Sequence, residues 1–159
     1  MKKDAAIFLS TNVRIDLDFL IDCPLLEILI FENNSKNNLS YTFIAKTKVR
    51  SLTLKGVSSE SLNTLVENTK INVLAISFRN KYEFDLSWLR KFPNLRNLKL
   101  SNISGIKTPE DELFLTELTA FTVDIPLSTE QVDHLLRIFH WKRKQIMIDT
   151  EVRLIRIPE

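Results

Sequence analysis

Apolar residues recur along this chain in the spacing apolar-x-x-apolar-x-apolar. Five copies stand at Leu26/Leu29/Phe31, Val49/Leu52/Leu54, Ile71/Leu74/Ile76, Leu95/Leu98/Leu100 and Leu118/Phe121/Val123. Successive copies begin 23, 22, 24 and 23 residues apart. Alternation with a period of two is typical of a short strand with one buried face. The spacing therefore predicts a set of short strands whose inward side chains form one row: Leu29, Leu52, Leu74, Leu98 and Phe121.

A longer pattern recurs between residues 16–31 and 85–100, which are offset by 69 residues. Both segments contain Asp-Leu, an aromatic residue, a Leu, a Pro and then alternating aliphatic residues. In the second copy, Asp85 is placed to cap a short helix with apolar residues at helical spacing, and Pro93 prevents its continuation. Each unit is therefore predicted to carry a strand and a short helix.

The equivalence of the two segments makes predictions for individual side chains. Phe19 and Trp88 occupy matching positions and are expected to pack on the helical side. Cys23 matches Phe92 and is expected to be a core residue rather than a nucleophile. Further short helices are predicted over residues 58–68 and from Pro109, which precedes three acidic residues suited to a helix start.

The two ends of the chain have different patterns. Residues 4–12 predict an N-terminal strand, and residues 33–38, with four asparagines, predict a solvated loop. Ser128 and Gln131 have the spacing of a capping box, and the apolar residues that follow predict the longest helix, over residues 128–142. A closing hairpin is predicted over 145–148 and 153–157.

A unit of one strand and one short helix cannot bury its leucines alone, but stacked units share a continuous core. Over residues 5–150 the spacing resembles that of the leucine-rich repeat family, whose units of about 20 to 29 residues read L-x-x-L-x-L-x-x-(Asn/Cys). The ninth position here is irregular, and in this respect the chain looks like the intracellular repeats of F-box-associated proteins. Its occupants in the five units are Asn34, Val57, Arg79, Ile103 and Pro126.

The resemblance implies an α/β leucine-rich repeat solenoid with a parallel strand ladder on its concave face. Short helices and turns would form the convex face. We expect a single domain over residues 1–159, with about five repeats in residues 16–127, a strand over 4–12 as the N-terminal cap, and a C-terminal cap of helix and hairpin over 128–159.

Composition excludes several classes of chemistry. The 159 residues include only two glycines, too few for a P-loop or a dinucleotide-binding loop. The single cysteine excludes an internal disulfide and a thiolate metal cluster. His134 and His140 do not have the i, i+4 spacing of a zinc pair, and there is no G-x-S-x-G motif. We therefore expect no enzymatic activity, no metal and no cofactor.

The charge balance and the targeting signals of the sequence limit which partners and compartments are expected. Lys and Arg number 22 and Asp and Glu 20, a net charge of +2 that argues against a dedicated polyanion binder. No signal peptide and no apolar run of about 18 residues are found. An intracellular protein, cytoplasmic or nuclear, without membrane association is expected.

The residues between the inward leucines are expected to face solvent on the concave sheet. They form three rows: Ile28, Ser51, Val73, Asn97, Ala120; Ile30, Thr53, Ala75, Lys99, Thr122; and Glu32, Lys55, Ser77, Ser101, Asp124. Most of these side chains are small or apolar, which allows close approach of a partner. The candidate partner-binding residues are Arg50, Thr53, Lys55, Arg96, Asn97 and Lys99.

The favoured function is a non-catalytic scaffold or adaptor that binds another protein through the concave sheet. Its basic residues favour an acidic segment as the ligand. The alternative is a nucleic-acid-associated subunit that uses the same cations together with the basic residues 142–144, which follow Trp141. An enzyme is the third class, and no catalytic constellation supports it.

Overall fold

The computed structural model describes residues 5–108, 117–140, 147–150 and 153–156. These residues contain one mixed sheet whose strands follow one another in sequence order. The strands are β1 Ala5–Thr11, β2 Leu26–Asn33, β3 Ser51–Val57, β4 Val73–Asp85, β5 Asn97–Lys107, β6 Ala120–Val123, β7 Met147–Thr150 and β8 Arg153–Arg156. Each strand from β1 to β7 is parallel to the next, and β8 returns antiparallel to β7. The expected α/β class with a parallel strand ladder is confirmed.

Short helices connect several of the strands. They are the 3₁₀ helices η1 Asp18–Asp22, η2 Thr42–Lys46 and η3 Leu86–Lys91, and the α-helices α1 Ser59–Asn63 and α2 Thr129–His140. The helix predicted at Asp85 is present, and the Asp85 side chain accepts a hydrogen bond from the Ser87 backbone N–H. The helix predicted over 58–68 ends earlier, at Asn63, so that Val66 lies beyond it and is exposed. The segment from Pro109 and its acidic residues 110–112 lie outside the described residues.

The core row predicted from the sequence is confirmed. Leu29 pairs with Leu52 in the strand register, and the row continues through Leu74 and Leu98 to Phe121. All five side chains are almost completely buried. Burying each such side chain stabilises the fold by about 1.5–3 kcal/mol.

The loop predicted over residues 33–38 is present but is not simply solvated. Asn33 and Ser35 are buried, and Asn33 Oδ1 accepts hydrogen bonds from both the backbone N–H and the hydroxyl of Ser35. Arg79 donates to the carbonyls of Lys36 and Asn37 at 2.8 and 3.0 Å. Because buried polar groups need partners, this network holds the loop against the strand ends.

An aromatic cluster forms where β4 and β5 extend beyond the main ladder. Trp88 lies 5.7 Å from Phe84 and 5.1 Å from Phe92 between ring centroids, so its predicted packing role is confirmed. The matching prediction for Phe19 is wrong, because its side chain is 54% exposed. The residues equivalent to Phe84 and Phe92 are Ile15 and Cys23, which are smaller and provide no aromatic ring for Phe19 to pack on. Cys23 itself is half-buried against the core.

The two ends agree with the predicted elements. β1 occupies the region predicted as the N-terminal strand. Ser128 and Gln131 form the reciprocal hydrogen bonds of a capping box, and α2 begins directly after Ser128. β7 and β8 form a hairpin as predicted, but β7 continues to Thr150, two residues beyond the predicted strand end, and it extends the parallel ladder beside β6. Trp141 and residues 142–144 lie outside the described residues.

Candidate functional site

The solvent-facing rows predicted from the sequence are neighbours in the sheet. Ser51, Thr53 and Lys55 of β3 pair with Val73, Ala75 and Ser77 of β4, and the register continues into β5 through Asn97, Lys99 and Ser101. The side chains in these rows are half-buried or exposed, whereas the residues between them are buried. We call this surface, with the equivalent residues of β1, β2 and β6, the outward face.

Two of the predicted cations lie on the outward face. Lys55 and Lys99 are exposed, and the strands that carry them are separated by β4. Two strand spacings correspond to about 10 Å. Lys99 lies beside Ala75 and Thr122, while Lys55 pairs in register with Glu32 of β2. The small neighbours leave Lys99 accessible, and the carboxylate of Glu32 weakens the positive potential at Lys55.

The other two cations, Arg50 and Arg96, lie at a different place. Each stands directly before its strand, in a row joined by backbone hydrogen bonds: Arg50 N–H to Glu27, Asn72 N–H to Arg50 and Arg96 N–H to Asn72. Arg50 is five positions from Lys55, about 16 Å along a strand, and Arg96 is three positions from Lys99, about 10 Å. The two arginines therefore stand where the strands begin, and the two lysines stand further along the outward face.

Arg50 and Arg96 line a groove where the strands begin, which we call the entry groove. Its volume is about 340 Å³, and its other lining residues are Thr69, Lys70, Asn72, Asn94 and Glu117. The Lys70 ammonium donates to the Thr47 carbonyl at 3.0 Å, and the Asn94 amide donates to the Thr69 carbonyl at 2.7 Å. Sequence reasoning missed Lys70 and Asn94. They occupy equivalent positions, because Lys70 is two residues before Asn72 and Asn94 is two residues before Arg96.

The remaining predicted residues have local roles as well. Thr53 is half-buried in the middle row, and the Asn97 side-chain oxygen accepts a hydrogen bond from the Thr119 hydroxyl at 3.4 Å. Asp124 ends the third row, and its carboxylate accepts hydrogen bonds from the backbone N–H groups of Asn102 and Ile103. These bonds stabilise the backbone of β5 at Asn102, whose φ is +60°.

The outward face also carries an apolar patch that the sequence reasoning missed. Phe8 of β1 pairs in register with Ile30 of β2, and Ala6 pairs with Ile28. Phe8 is 60% exposed and Ile28 is 37% exposed. The signal was present, because Ile7 and Leu9 mark the inward positions of the first strand and leave Phe8 on the opposite face.

Two described carboxyl groups with a lowered pKa stand at the starts of helices. No three of their His, Cys, Asp and Glu side chains are grouped so as to hold a metal ion. The pKa of Glu60 is lowered, first by its own backbone N–H and then by the Ser59 and Ser58 hydroxyls at the start of α1. The pKa of Asp85 is lowered chiefly by its hydrogen bond with the Ser87 side chain. Both groups stabilise helix starts.

Within the described part of the chain, no helix has the length and apolar character needed to cross a membrane. Comparison with known proteins found no matching family model, no matching curated protein and no matching solved structure.

Proposed function

We propose that this chain is a leucine-rich repeat solenoid that acts as a non-catalytic interaction module and binds a partner protein through its outward face. The 22-to-24-residue repeat and the parallel strands in sequence order support the architecture. A ladder of this kind offers a broad surface with one side chain from each strand in every row.

The observation that carries the proposal is the composition of the outward face. Phe8 of β1 and Ile28 of β2 expose an apolar patch, and Lys55 and Lys99 lie on β3 and β5. Exposed apolar patches bordered by polar residues mark protein interaction sites. The small side chains Ala75 and Ser77 lie on β4 between the two lysines, so that a bound segment can approach the backbone closely there.

This arrangement favours a partner segment with an apolar anchor and acidic residues. The anchor would cover Phe8 and Ile28, and the carboxylates would contact Lys99 and Lys55. Apolar contacts supply most of the affinity at such an interface, while the charges determine register and selectivity.

The proposal is tested by recovering partners from extract of the native cell with the full-length chain as bait. Phe8→Asp and Lys99→Glu are expected to remove the partner, since both side chains are exposed and neither supports the core. Phe19→Asp is the matched control, because Phe19 is comparably exposed but lies in η1, away from the sheet. Circular dichroism verifies that each variant is folded.

Two results would contradict the proposal. One is full recovery of the partner by Phe8→Asp and Lys99→Glu together with its loss on Phe19→Asp. The other is recovery that disappears after nuclease treatment and decreases steeply with salt, which would favour the nucleic-acid alternative.

A further inference from the structure

The entry groove concentrates positive charge at the edge where the strands begin. Arg50, Lys70 and Arg96 contribute three cations, and among its lining residues the one acidic side chain is Glu117. Lys48 is also exposed, two residues before Arg50. This concentration contrasts with the net charge of +2 for the whole chain. A local excess of this kind attracts anionic groups although the molecule is nearly neutral.

The groove holds its donors in a regular arrangement. Arg50 and Arg96 stand on either side of Asn72 in the backbone-bonded row, so their attachment points are about 10 Å apart, two strand spacings. Lys70 is anchored by donating one of its three N–H groups to the Thr47 carbonyl, which leaves two for a ligand. The Arg50 guanidinium lies 4.0 Å from Glu27 with 64% of the side chain exposed. Such an exposed ion pair is weak, so the Arg50 guanidinium can leave Glu27 and bind a carboxylate of a ligand instead.

We propose that the entry groove binds two carboxylates of a short acidic segment in the partner protein, one at Arg50 and one at Arg96, with Lys70 between them. This inference rests on the proposed function and adds a second contact surface to it. Side chains three residues apart in a polyproline II segment lie on the same face about 9 Å apart, close to the separation of the two arginines. Planar guanidinium groups bind carboxylates through two parallel hydrogen bonds.

The surroundings favour an acidic peptide over a nucleic acid. Glu27 lies beside Arg50, and Glu117 lines the groove on the side of the later strands, so a continuous polyanion that followed the row would meet negative charge at both ends. The lining residues include no aromatic side chain on which a base could stack. A short acidic segment needs no stacking partner and does not have to continue beyond the two arginines.

The inference is tested by titrating a fluorescent hexaglutamate peptide with the full-length chain and measuring anisotropy at low ionic strength. Arg50→Gln and Arg96→Gln are each expected to weaken binding about fivefold or more, the effect of losing roughly 1 kcal/mol of charged contact. Arg137→Gln is the matched control, since Arg137 is exposed on α2 and has the same charge, and it should change affinity less than twofold. Arg96→Lys should weaken binding partially, because an ammonium lacks the paired donors.

The inference would be overturned by no binding of hexaglutamate, by equal weakening in Arg137→Gln, or by tighter binding of an oligothymidylate of the same charge. Partner recovery separates this inference from the proposed function. If Phe8→Asp abolishes recovery while Arg50→Gln and Arg96→Gln change neither recovery nor peptide binding, the groove assignment fails and the function stands. If the groove variants lose hexaglutamate while Phe8→Asp and Lys99→Glu recover the partner fully, the outward-face function fails and the groove remains an anion site.

Discussion

Asp85 supports the start of η3 through a side-chain contact with the backbone. Its Oδ1 accepts a hydrogen bond from the Ser87 N–H at 2.8 Å, and Lys107 Nζ lies 3.9 Å from its other oxygen. The hydrogen bond with the Ser87 side chain lowers the pKa of Asp85 most, the Ser87 backbone N–H and Lys107 add to it, and burial opposes them. The folded state therefore binds a proton to this carboxyl less readily than the unfolded chain.

This lowered pKa predicts a stability contribution that depends on pH. The contribution is present above the unfolded pKa, about 3.9, and is lost as the pH falls through the lower folded value. Asp85→Ala should cost about 0.5–2 kcal/mol of unfolding free energy at neutral pH, and the cost should shrink in acid. Urea titrations of both proteins at pH 7 and near pH 2 measure the difference. A deficit that is the same at both pH values would show that the carboxylate charge is not involved.

Tyr41 is a buried residue with an unusual environment. Its ring packs edge-on to Phe31 with centroids 6.2 Å apart, and its hydroxyl has no hydrogen-bond partner among the described residues. Burial raises the pKa of Tyr41 to about 12, and the nearby charge of Arg79 opposes that effect. An unpaired buried hydroxyl costs free energy, which its removal recovers.

Tyr41→Phe is therefore expected to leave the unfolding free energy at pH 7 unchanged or higher, whereas Tyr41→Ala should lower it by about 3–5 kcal/mol. The raised pKa adds an alkaline test, because stability is lost where the unfolded tyrosine ionises first, between pH 10 and about 12. The difference between wild type and Tyr41→Phe should widen over that range in denaturant titrations. A loss of more than about 2 kcal/mol in Tyr41→Phe at pH 7 would indicate a hydrogen bond to the hydroxyl.

At the scale of elements, Gly56 links β3 to the loop after β2. Its φ is +70°, and a Cβ added there would collide with the Asn33 carbonyl oxygen. That region of φ is costly for other residues, and the colliding atom belongs to backbone that cannot rotate away. The close contact between β3 and the 33–38 loop therefore requires glycine.

Gly56→Ala should lower the unfolding free energy by more than about 1–2 kcal/mol, the cost of the left-handed backbone alone. Gly105→Ala in β5 is the matched control, because a Cβ there would lie 3.8 Å from the Glu83 carboxylate in ordinary contact. The control should be neutral or slightly stabilising, since glycine weakens a strand. Equal unfolding midpoints for the two variants would refute the close contact.

At the scale of the whole molecule, the inward row makes successive strands depend on one another. Leu98 pairs with Leu74 on one side and Phe121 on the other and is 2% exposed. Leu98→Ala should lower the unfolding free energy by about 2–5 kcal/mol through the cavity it leaves. Lys99→Ala, the adjacent exposed position, should change it by less than about 0.5 kcal/mol. Chemical denaturation of the two variants compares them, and a surface-like cost at Leu98 would contradict the shared core.

The C-terminal region covers one end of this core. Leu135 of α2 is completely buried, and β7 occupies the edge of β6. Deleting residues 128–159 should expose Phe121 and Val123 and leave an unpaired strand edge, which promotes aggregation. Light scattering after size exclusion measures the outcome. A monomeric truncated chain with the same unfolding midpoint would exclude a capping role.

The sequence by itself determined where the core of each strand lies and the inward row, because burial of one face imposes a period of two. It did not show that β4 continues to Asp85 and β5 to Lys107. It also located η3 and α2, since Asp85, Ser128 and Gln131 act on backbone groups within three residues of themselves. These features are local, and a local pattern is readable without the fold.

Only the tertiary structure decided how the candidate surfaces are divided. Arg50 and Arg96 stand directly before their strands while Lys55 and Lys99 stand on the outward face, and Lys70 lines the same groove as the arginines. Asp124 accepts a hydrogen bond from the backbone N–H of Asn102, 22 positions earlier, and no short sequence pattern predicts this contact. Residues distant in sequence meet only when several strands are stacked. The entry groove therefore could not be predicted from the sequence, whereas the row of leucines could.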